Sequence, residues 1–332
     1  MELTTVWFAL IAVLWIGYFV LEGFDFGVGI LAPILGKTEP ERRAILRTIG
    51  PVWDGNEVWV LVAGGATFAA FPEWYATLFS GFYLALFLIL VGLITRGVAI
   101  EYRNKRGSAS WRTRWDVLIA VASFIPALLW GVAFANIVAG VPIDAQKNYT
   151  GDLFTLLNPF GLLGGLTTLS LFLTHGLVFL ALKTEGELRE RANRLVTPVG
   201  LVTAVIAVAF LAWANAQTGT AASWVVAILA ALAFVGGLAA NRVRREGWAF
   251  IGSAVAIALA VVSLFLALFP DVMPSSTSPA YSLTTTNASS TPYTLTIMTV
   301  VAVIFTPIVL IYQGWTYYVF RKRVSVQGPA KS

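Results

Sequence analysis

The sequence predicts an all-α integral membrane protein. Of the 332 residues, 58% are hydrophobic and only 12% are charged, and the mean hydropathy is +0.79. A soluble domain is nearer a quarter charged. This composition excludes a soluble enzyme, a disordered chain and a fibrous protein. The first apolar run lacks a basic leader and is longer than a signal-peptide core, so we expect no cleaved signal peptide.

Nine apolar runs approach or exceed the roughly 20 residues that a helix needs to cross the hydrocarbon. They are residues 6–35, 51–71, 75–98, 115–138, 161–182, 198–216, 223–240, 248–269 and 293–320. The second run is short and opens with two acids, so a hydropathy window underrates it. We expect residues 1–332 to form one transmembrane domain. The polar stretch 270–292 is expected to be an outer loop, either an ordered lid or a surface loop.

The positions of Lys and Arg predict the orientation of the nine runs. If the connections alternate sides, one side receives 21 of the 22 basic residues, Lys331 included, and the other receives Lys147 alone. The N-terminus is therefore expected outside and the C-terminus in the cytoplasm. The net charge of +5 reflects this topology, so nucleic acid is not an expected partner.

The first basic connection predicts a short helix. Residues 38–41, Thr-Glu-Pro-Glu, have the pattern of a capping box with proline in the first turn. Ala44, Ile45 and Ile49 then fall on one helix face. We expect a helix over 39–49 at the inner surface.

Four acids lie within the first two runs. Glu22 and Asp25 are three residues apart, as are Asp54 and Glu57, so each pair shares one helix face. The two runs are consecutive and antiparallel, so the two faces can meet. Asp54 follows Pro51 in the first turn of its helix, where free amides and the helix dipole favour an anion.

An intramembrane carboxylate is costly, so it needs water, a partner or a proton. One interpretation is a proton path that runs from Asp54 and Glu57 at the cytoplasmic edge to Asp25 and then Glu22. The other is a set of buried acids satisfied by Arg, Trp and Asn neighbours. Arg96, at the end of the third run, is either such a partner or a cation that snorkels to the inner edge.

Donors for a metal ion or a haem are scarce. There is no Cys, and His175 is the single histidine. Disulfides, Cys-ligated clusters and bis-histidine haem ligation are therefore excluded. We expect His175 to hydrogen-bond a neighbour rather than to act as a ligand, and Met273 and Met298 are weaker ligand candidates still.

Glycines in three runs predict close helix packing. They are Gly23, Gly27 and Gly29 in the first run, Gly64 and Gly65 in the second, and Gly161, Gly164 and Gly165 in the fifth.

Two motifs carry a family resemblance. The string GFDFGVG at 23–29, followed by WDGNEVW at 53–59, resembles subunit II of the cytochrome bd-type quinol oxidases. Further matches are FAAFP at 68–72, GVAF at 131–134, NPFGLL at 158–163 and MPSS at 273–276. They follow the family order, so the resemblance covers essentially the whole chain.

The resemblance implies a haem-free subunit of a bacterial plasma-membrane oxidase that reduces O₂ to water with electrons from quinol. The haems b and d and the quinol-oxidation site would lie in subunit I, its heterodimeric partner. Nine spans would form two four-helix bundles and a peripheral helix. Asp25 and Asp54 would belong to a proton route from the cytoplasm towards the haems, with Trp53, Asn56 and Arg96 as supporting residues.

The resemblance also allows for a small accessory subunit and for a structurally bound quinone or lipid. Glu57 stands where relatives carry Gln, which adds an acid to the path and leaves its role open. Two alternatives stay open beside this interpretation. One is a secondary transporter, which should show broken helices in corresponding halves of the chain, and the other is a purely structural assembly subunit.

Overall fold

The structure, a computed structural model, describes residues 2–326. Lys331, counted among the basic residues above, lies outside the described part. The described helices are α1 Leu3–Leu35, α2 Glu39–Ile49, α3 Trp53–Ala70, α4 Pro72–Gly81, α5 Tyr83–Tyr102, α6 Ala109–Ala139, α7 Leu153–Leu156, α8 Pro159–Lys183, α9 Gly186–Thr218, α10 Ala221–Arg242, α11 Glu246–Leu268 and α12 Pro292–Val319. Two strands, β1 Asp271–Met273 and β2 Leu283–Thr284, form a small antiparallel sheet, and Pro279–Tyr281 forms a 3₁₀ turn.

Eight helices between residues 2 and 326 are long and apolar enough to cross a membrane, namely α1, α5, α6, α8, α9, α10, α11 and α12. They confirm an all-α membrane protein. The second predicted run forms α3, which has 18 residues and a length of about 27 Å. Its first five residues include Asp54, Asn56 and Glu57, which lower the mean hydropathy of the whole helix.

The third predicted run, 75–98, is divided in the structure. Pro72 begins α4, which ends at Gly81, and α5 begins only at Tyr83. The Tyr149 ring packs so closely on Gly81 that a Cβ atom there would collide with it. The membrane-length helix of this run therefore starts later than predicted and continues to Tyr102.

Helix α1 lies at the centre of the molecule. It packs against α3, α6, α8 and α11, while α5 packs on α6, and α8 to α11 pack on one another. Helix α12 rests on α3 and α1, and Leu295 is its one buried residue. It is therefore the least enclosed of the eight apolar helices.

Glycine allows α1 and α8 to cross in direct backbone contact. A Cβ atom on Gly27 would meet the carbonyl oxygen of Phe172 and Cα of Gly176, and one on Gly23 would meet the Phe172 ring. Gly64 and Gly65 differ, because a Cβ atom there would meet almost nothing within this chain. The packing role predicted for the glycines of the second run is therefore wrong, whereas Gly161, Gly164 and Gly165 do pack closely.

Ion pairs bring the basic connections together at one end of the helices, which we call the basic end. Arg103 is 1% exposed and bonds Glu39 of α2 (2.8 Å) and Asp116 of α6 (2.5 Å). Partial burial raises the pKa of Glu39, but the hydrogen bonds and charge of Arg103, together with Arg112 and Arg43, outweigh it and hold that pKa below its usual value. Arg191 of α9 pairs with Glu41. Helix α2 covers 39–49, as predicted.

The polar stretch 270–292 at the opposite end is packed onto the helices. Its fully buried side chains include those of Val272, Met273 and Leu283. Ser275 forms a parallel β-bridge with Val141, just after α6. Lys147 lies at this end, where it donates to the carbonyl oxygen of Asn287 (3.3 Å).

We expect Gly27→Ala to lower the thermal stability of the purified protein. The added methyl group would press on backbone atoms of α8 that cannot rotate away, and such overpacking costs about 1–3 kcal/mol. Differential scanning fluorimetry of the solubilised protein measures the effect. Gly65→Ala is the matched control, because its methyl group meets open space. Equal unfolding midpoints for the two variants would contradict the close crossing of α1 and α8.

Candidate functional site

The predicted acids of the first two runs lie where α1, α3, α5 and α12 meet. Glu22 and Asp25 are fully buried on α1, and Arg96 of α5 is fully buried beside them. Asn56, on the first turn of α3, is fully buried as well. Asp54 on the same turn and Glu57 just after it are less enclosed.

Arg96 joins two of the four acids. Its Nη2 atom forms an ion pair with Glu22 and a charge-assisted hydrogen bond to Oε2 of Glu57 (2.8 Å). The guanidinium group lies over the Phe26 ring, 4.8 Å from its centroid, in cation–π geometry. Arg96 is therefore a partner of the acids and does not snorkel to the membrane edge.

Asp25 has a different partner from Glu22, although the two are one turn apart. Nδ2 of Asn56 donates to Oδ2 of Asp25 at 2.7 Å and to the carbonyl oxygen of Leu21 at 3.3 Å. The other carboxyl oxygen of Asp25, Oδ1, is buried and has no hydrogen-bond partner among residues 2–326. One oxygen of this carboxyl group is held by an amide, and the other is free.

Asp54 does not contact the other acids. It is exposed, and its Oδ1 atom accepts the N–H of Gly55 at 2.8 Å. It lines a cleft of about 560 Å³ between the first turn of α3 and the last turns of α12, which we call the polar cleft. Asn56 lines the same cleft, so the polar cleft extends from Asp54 to the amide that holds Asp25.

Two residues of α12 that sequence reasoning missed complete the site. Nε2 of Gln313 donates to Oδ1 of Asn56 at 3.1 Å, and the hydroxyl of Tyr317 donates to the same atom at 2.8 Å. Both line the polar cleft. Gln313 is the one amide side chain in the apolar run 293–320, which is a signal that could have identified it.

The two tryptophans that flank the acids of α3 face neighbouring helices. Trp53 lies against Gly97 of α5, and Trp59 lies against Gly17 of α1, where an added Cβ atom would collide with the ring. The indole N–H of Trp59 donates to Oε1 of Gln313 at 2.8 Å.

His175 lies in the core, and both ring nitrogens are engaged. Nδ1 lies 2.7 Å from Oγ of Ser253, Nε2 lies 3.1 Å from the carbonyl oxygen of Val20, and the ring stacks on Phe250. Met273 is buried beneath the outer loop. No group of three or more His, Cys, Asp or Glu residues in the described part of the chain could hold a metal ion. Both ring nitrogens of His175 are therefore occupied within this chain.

A second cleft, of about 430 Å³, lies between α3, α4 and α5, and we call it the apolar cleft. Gly64 and Gly65 form part of its wall, together with Phe68, Phe79 and Phe87. The missing side chains at the two glycines keep this space open. Its lining suits a hydrocarbon chain.

The arrangement can hold and exchange protons. Glu22, Asp25 and Glu57 carry three negative charges when ionised, and Arg96 is the one cation that contacts this group in the described chain. The group is neutral only when two of the three carboxyls hold protons. Uncompensated charge is costly inside a membrane, so such a group needs water, a partner or a proton.

Comparison with known proteins gives consistent matches. The family model for cytochrome bd terminal oxidase subunit II matches residues 3–320. Cytochrome bd ubiquinol oxidase subunit 2 of Bacillus subtilis is 42% identical over 99% of this chain and 98% of its own length. Cytochrome bd-I ubiquinol oxidase subunit 2 of Escherichia coli K12 is 37% identical over 96% of this chain and 94% of its own.

A solved structure has the same fold. A chain of the bd oxidase from Geobacillus thermodenitrificans superposes with a TM-score of 0.80 at 18% identity, covering 97% of this chain and 100% of that chain.

We expect Arg96→Gln to impair folding, because it leaves two carboxylates without their cation, and breaking a buried ion pair costs about 3–5 kcal/mol. Adding Glu22→Gln to that variant should restore part of the loss, since it removes one uncompensated acid. The amount of folded protein recovered from membranes by size-exclusion chromatography measures both effects. A double variant that folds worse than Arg96→Gln would show that the pairing of Glu22 with Arg96 is not what stabilises the site.

Proposed function

We propose that this chain, which belongs to the cytochrome bd terminal oxidase subunit II family, passes protons towards its partner subunit. Members of this family are multi-pass proteins of the bacterial plasma membrane. Relatives named cytochrome bd ubiquinol oxidase subunit 2 are parts of a quinol:O₂ oxidoreductase. In this proposal the complex reduces O₂ to water, and this chain is its haem-free subunit II. The observation that carries the proposal is the buried Asp25 carboxyl group, with one oxygen held by Asn56 and the other free.

The proposed topology has nine spans, which are the eight apolar helices and α3. The N-terminus is outside and the C-terminus is in the cytoplasm. The convergence of basic connections at one end supports the orientation, because such loops face the cytoplasm. Helices α1, α3, α5 and α6 form the first proposed bundle and α8 to α11 the second. The exposure of α12 supports its place as the peripheral helix.

In the proposed complex, subunit I carries the haems b and d. The single histidine of this chain supports that division, because Ser253 and the Val20 carbonyl group occupy both of its ring nitrogens. The proposed docking surface for subunit I is formed by α12 and the exposed side of α3. The supporting observation is that Asp54 lies there among exposed apolar residues such as Val309 and Trp315, where a protein partner would cover it.

The proton path begins at Asp54 on the polar cleft and reaches Asp25 beside Asn56. Glu57 lies with Asp54 at the entry of the path, and Glu22 follows Asp25. Arg96 is shared between Glu57 and Glu22, so that one proton on either acid leaves these three groups neutral. The apolar cleft is the proposed place for a structural quinone tail or lipid chain. A small accessory subunit belongs to the proposed complex on the family resemblance alone.

Asp25→Asn and Asp54→Asn should each lower turnover while the complex still assembles. The amide keeps the shape and most hydrogen bonds but cannot exchange a proton, and losing one such group lowers rates by about tenfold or more. Glu22→Gln should cost less, because Glu57 remains beside Arg96. The measurement is oxygen consumption per mole of haem in membranes that contain the complex.

Glu187→Gln is the control, since Glu187 is an exposed acid at the basic end away from the polar cleft. A purely structural role for the acids predicts the reverse pattern, with poor assembly but normal turnover per haem. Unchanged turnover per haem in both Asp→Asn variants would remove Asp25 and Asp54 from the path. Uptake of a small solute that depends on these acids would favour the transporter alternative.

A further inference from the structure

Two side chains of α12 reach across to the amide that holds Asp25. Gln313 and Tyr317 are four residues apart, so they share one helix face. Both donate to Oδ1 of Asn56, at 3.1 Å and 2.8 Å. Within the described chain their hydrogen bonds reach Asp25 through Asn56, which donates to Oδ2 of Asp25.

The orientation of these amides follows from the donors around them. The indole N–H of Trp59 can only donate, and it points at Gln313 at 2.8 Å. The oxygen of Gln313 must therefore face Trp59, which turns its NH₂ group towards Asn56. Asn56 then has to present its oxygen to Gln313 and Tyr317, which leaves its NH₂ group facing Asp25.

A reversed Asn56 is unfavourable for two reasons. Its NH₂ group would face the NH₂ group of Gln313, donor against donor, and its oxygen would face a carboxyl oxygen of Asp25. The hydrogen bonds thus run in one direction, from Trp59 through Gln313 and Asn56 to Asp25. An unsatisfied buried donor or acceptor costs about 1–3 kcal/mol, which is enough to hold this direction.

We propose that Gln313 and Tyr317 are positioning residues that fix Asn56 so that Asp25 exchanges its proton at Oδ1. This inference rests on the proposed proton path. Oδ2 always faces the N–H of Asn56, so it serves as an acceptor in both protonation states. In the proposed path the proton comes from the Asp54 carboxyl group along the polar cleft: the O–H bond of Asp54 breaks and a new O–H bond forms at Oδ1 of Asp25. That bond breaks in turn when the proton passes on to the carboxylate of Glu22.

The two donors to Oδ1 of Asn56 can be removed one at a time. Tyr317→Phe removes a single hydroxyl group and keeps the ring. Gln313→Met keeps the side-chain length but removes the link between Trp59 and Asn56. Each variant removes one of the two donors to the oxygen of Asn56, which weakens the hold on its orientation and on its hydrogen bond to Oδ2 of Asp25.

The experiment uses the intact complex and two readouts. The first is oxygen consumption per mole of haem, and the second is the infrared C=O stretching band of protonated Asp25, identified by its loss in Asp25→Asn. We expect Tyr317→Phe and Gln313→Met each to lower turnover about two- to tenfold, the range for one hydrogen bond. Both should shift or broaden the Asp25 band, which a merely structural role would not do.

Two controls match the chemical changes. Tyr102→Phe removes a hydroxyl group from an exposed tyrosine on α5, and Gln217→Met replaces an exposed glutamine on α9. Both should leave turnover and the Asp25 band unchanged. Combining Asp25→Asn with Tyr317→Phe should cause no further loss beyond Asp25→Asn alone.

The outcomes separate this inference from the proposed function. Normal turnover per haem in Asp25→Asn would overturn the proton path and the inference together. A slow Asp25→Asn complex beside normal turnover and an unmoved band in Tyr317→Phe and Gln313→Met would overturn the inference alone. If Gln313→Met does not assemble, Tyr317→Phe decides, because it removes one oxygen atom from a side chain that remains half-buried.

Discussion

Arg96 is a fully buried cation on a membrane-spanning helix, and the site is arranged around that charge. A guanidinium group cannot lose its proton in a protein, so its charge has to be balanced by neighbours. Glu22 and Glu57 supply that balance from α1 and α3, and Phe26 supports one face of the group. Two acids for one cation leave an excess of negative charge, which Asp25 increases. In the proposed path protons balance this excess, because uncompensated charge is costly inside a membrane.

The packing of α1 makes this charge arrangement possible. Gly27 lets α1 lie directly on the backbone of α8, and Gly23 makes room for the Phe172 ring, while Glu22 and Asp25 are fully buried on the same helix. Asn56, on the other side, depends on α12 for its orientation. The least enclosed helix of the bundle therefore helps to hold the most enclosed carboxyl group. A partner subunit that covers α12 in the proposed complex would also stabilise the hydrogen bonds at Asp25.

The sequence predicted the helices, the basic end, helix 39–49 and the four acids, because these follow from hydropathy, charge and spacing along one helix. It did not predict how the acids divide between Arg96 and Asn56, since spacing defines a shared face but not the partner of each side chain. Gln313 lies 257 residues from Asn56, so local pattern cannot pair them. The expectations for Gly64, Gly65 and the bounds 75–98 were wrong because they depended on neighbours from elsewhere in the chain, as Tyr149 shows at Gly81.

The central claim is that Asp25 takes up protons that O₂ reduction consumes. The most direct measurement follows proton uptake by the fully reduced complex during one reaction with O₂, with a pH-indicator dye in weakly buffered solution. The account predicts that proton uptake keeps pace with haem oxidation in the native complex and becomes much slower in Asp25→Asn, although the variant binds O₂ normally. Proton uptake at the native rate in Asp25→Asn would contradict the account.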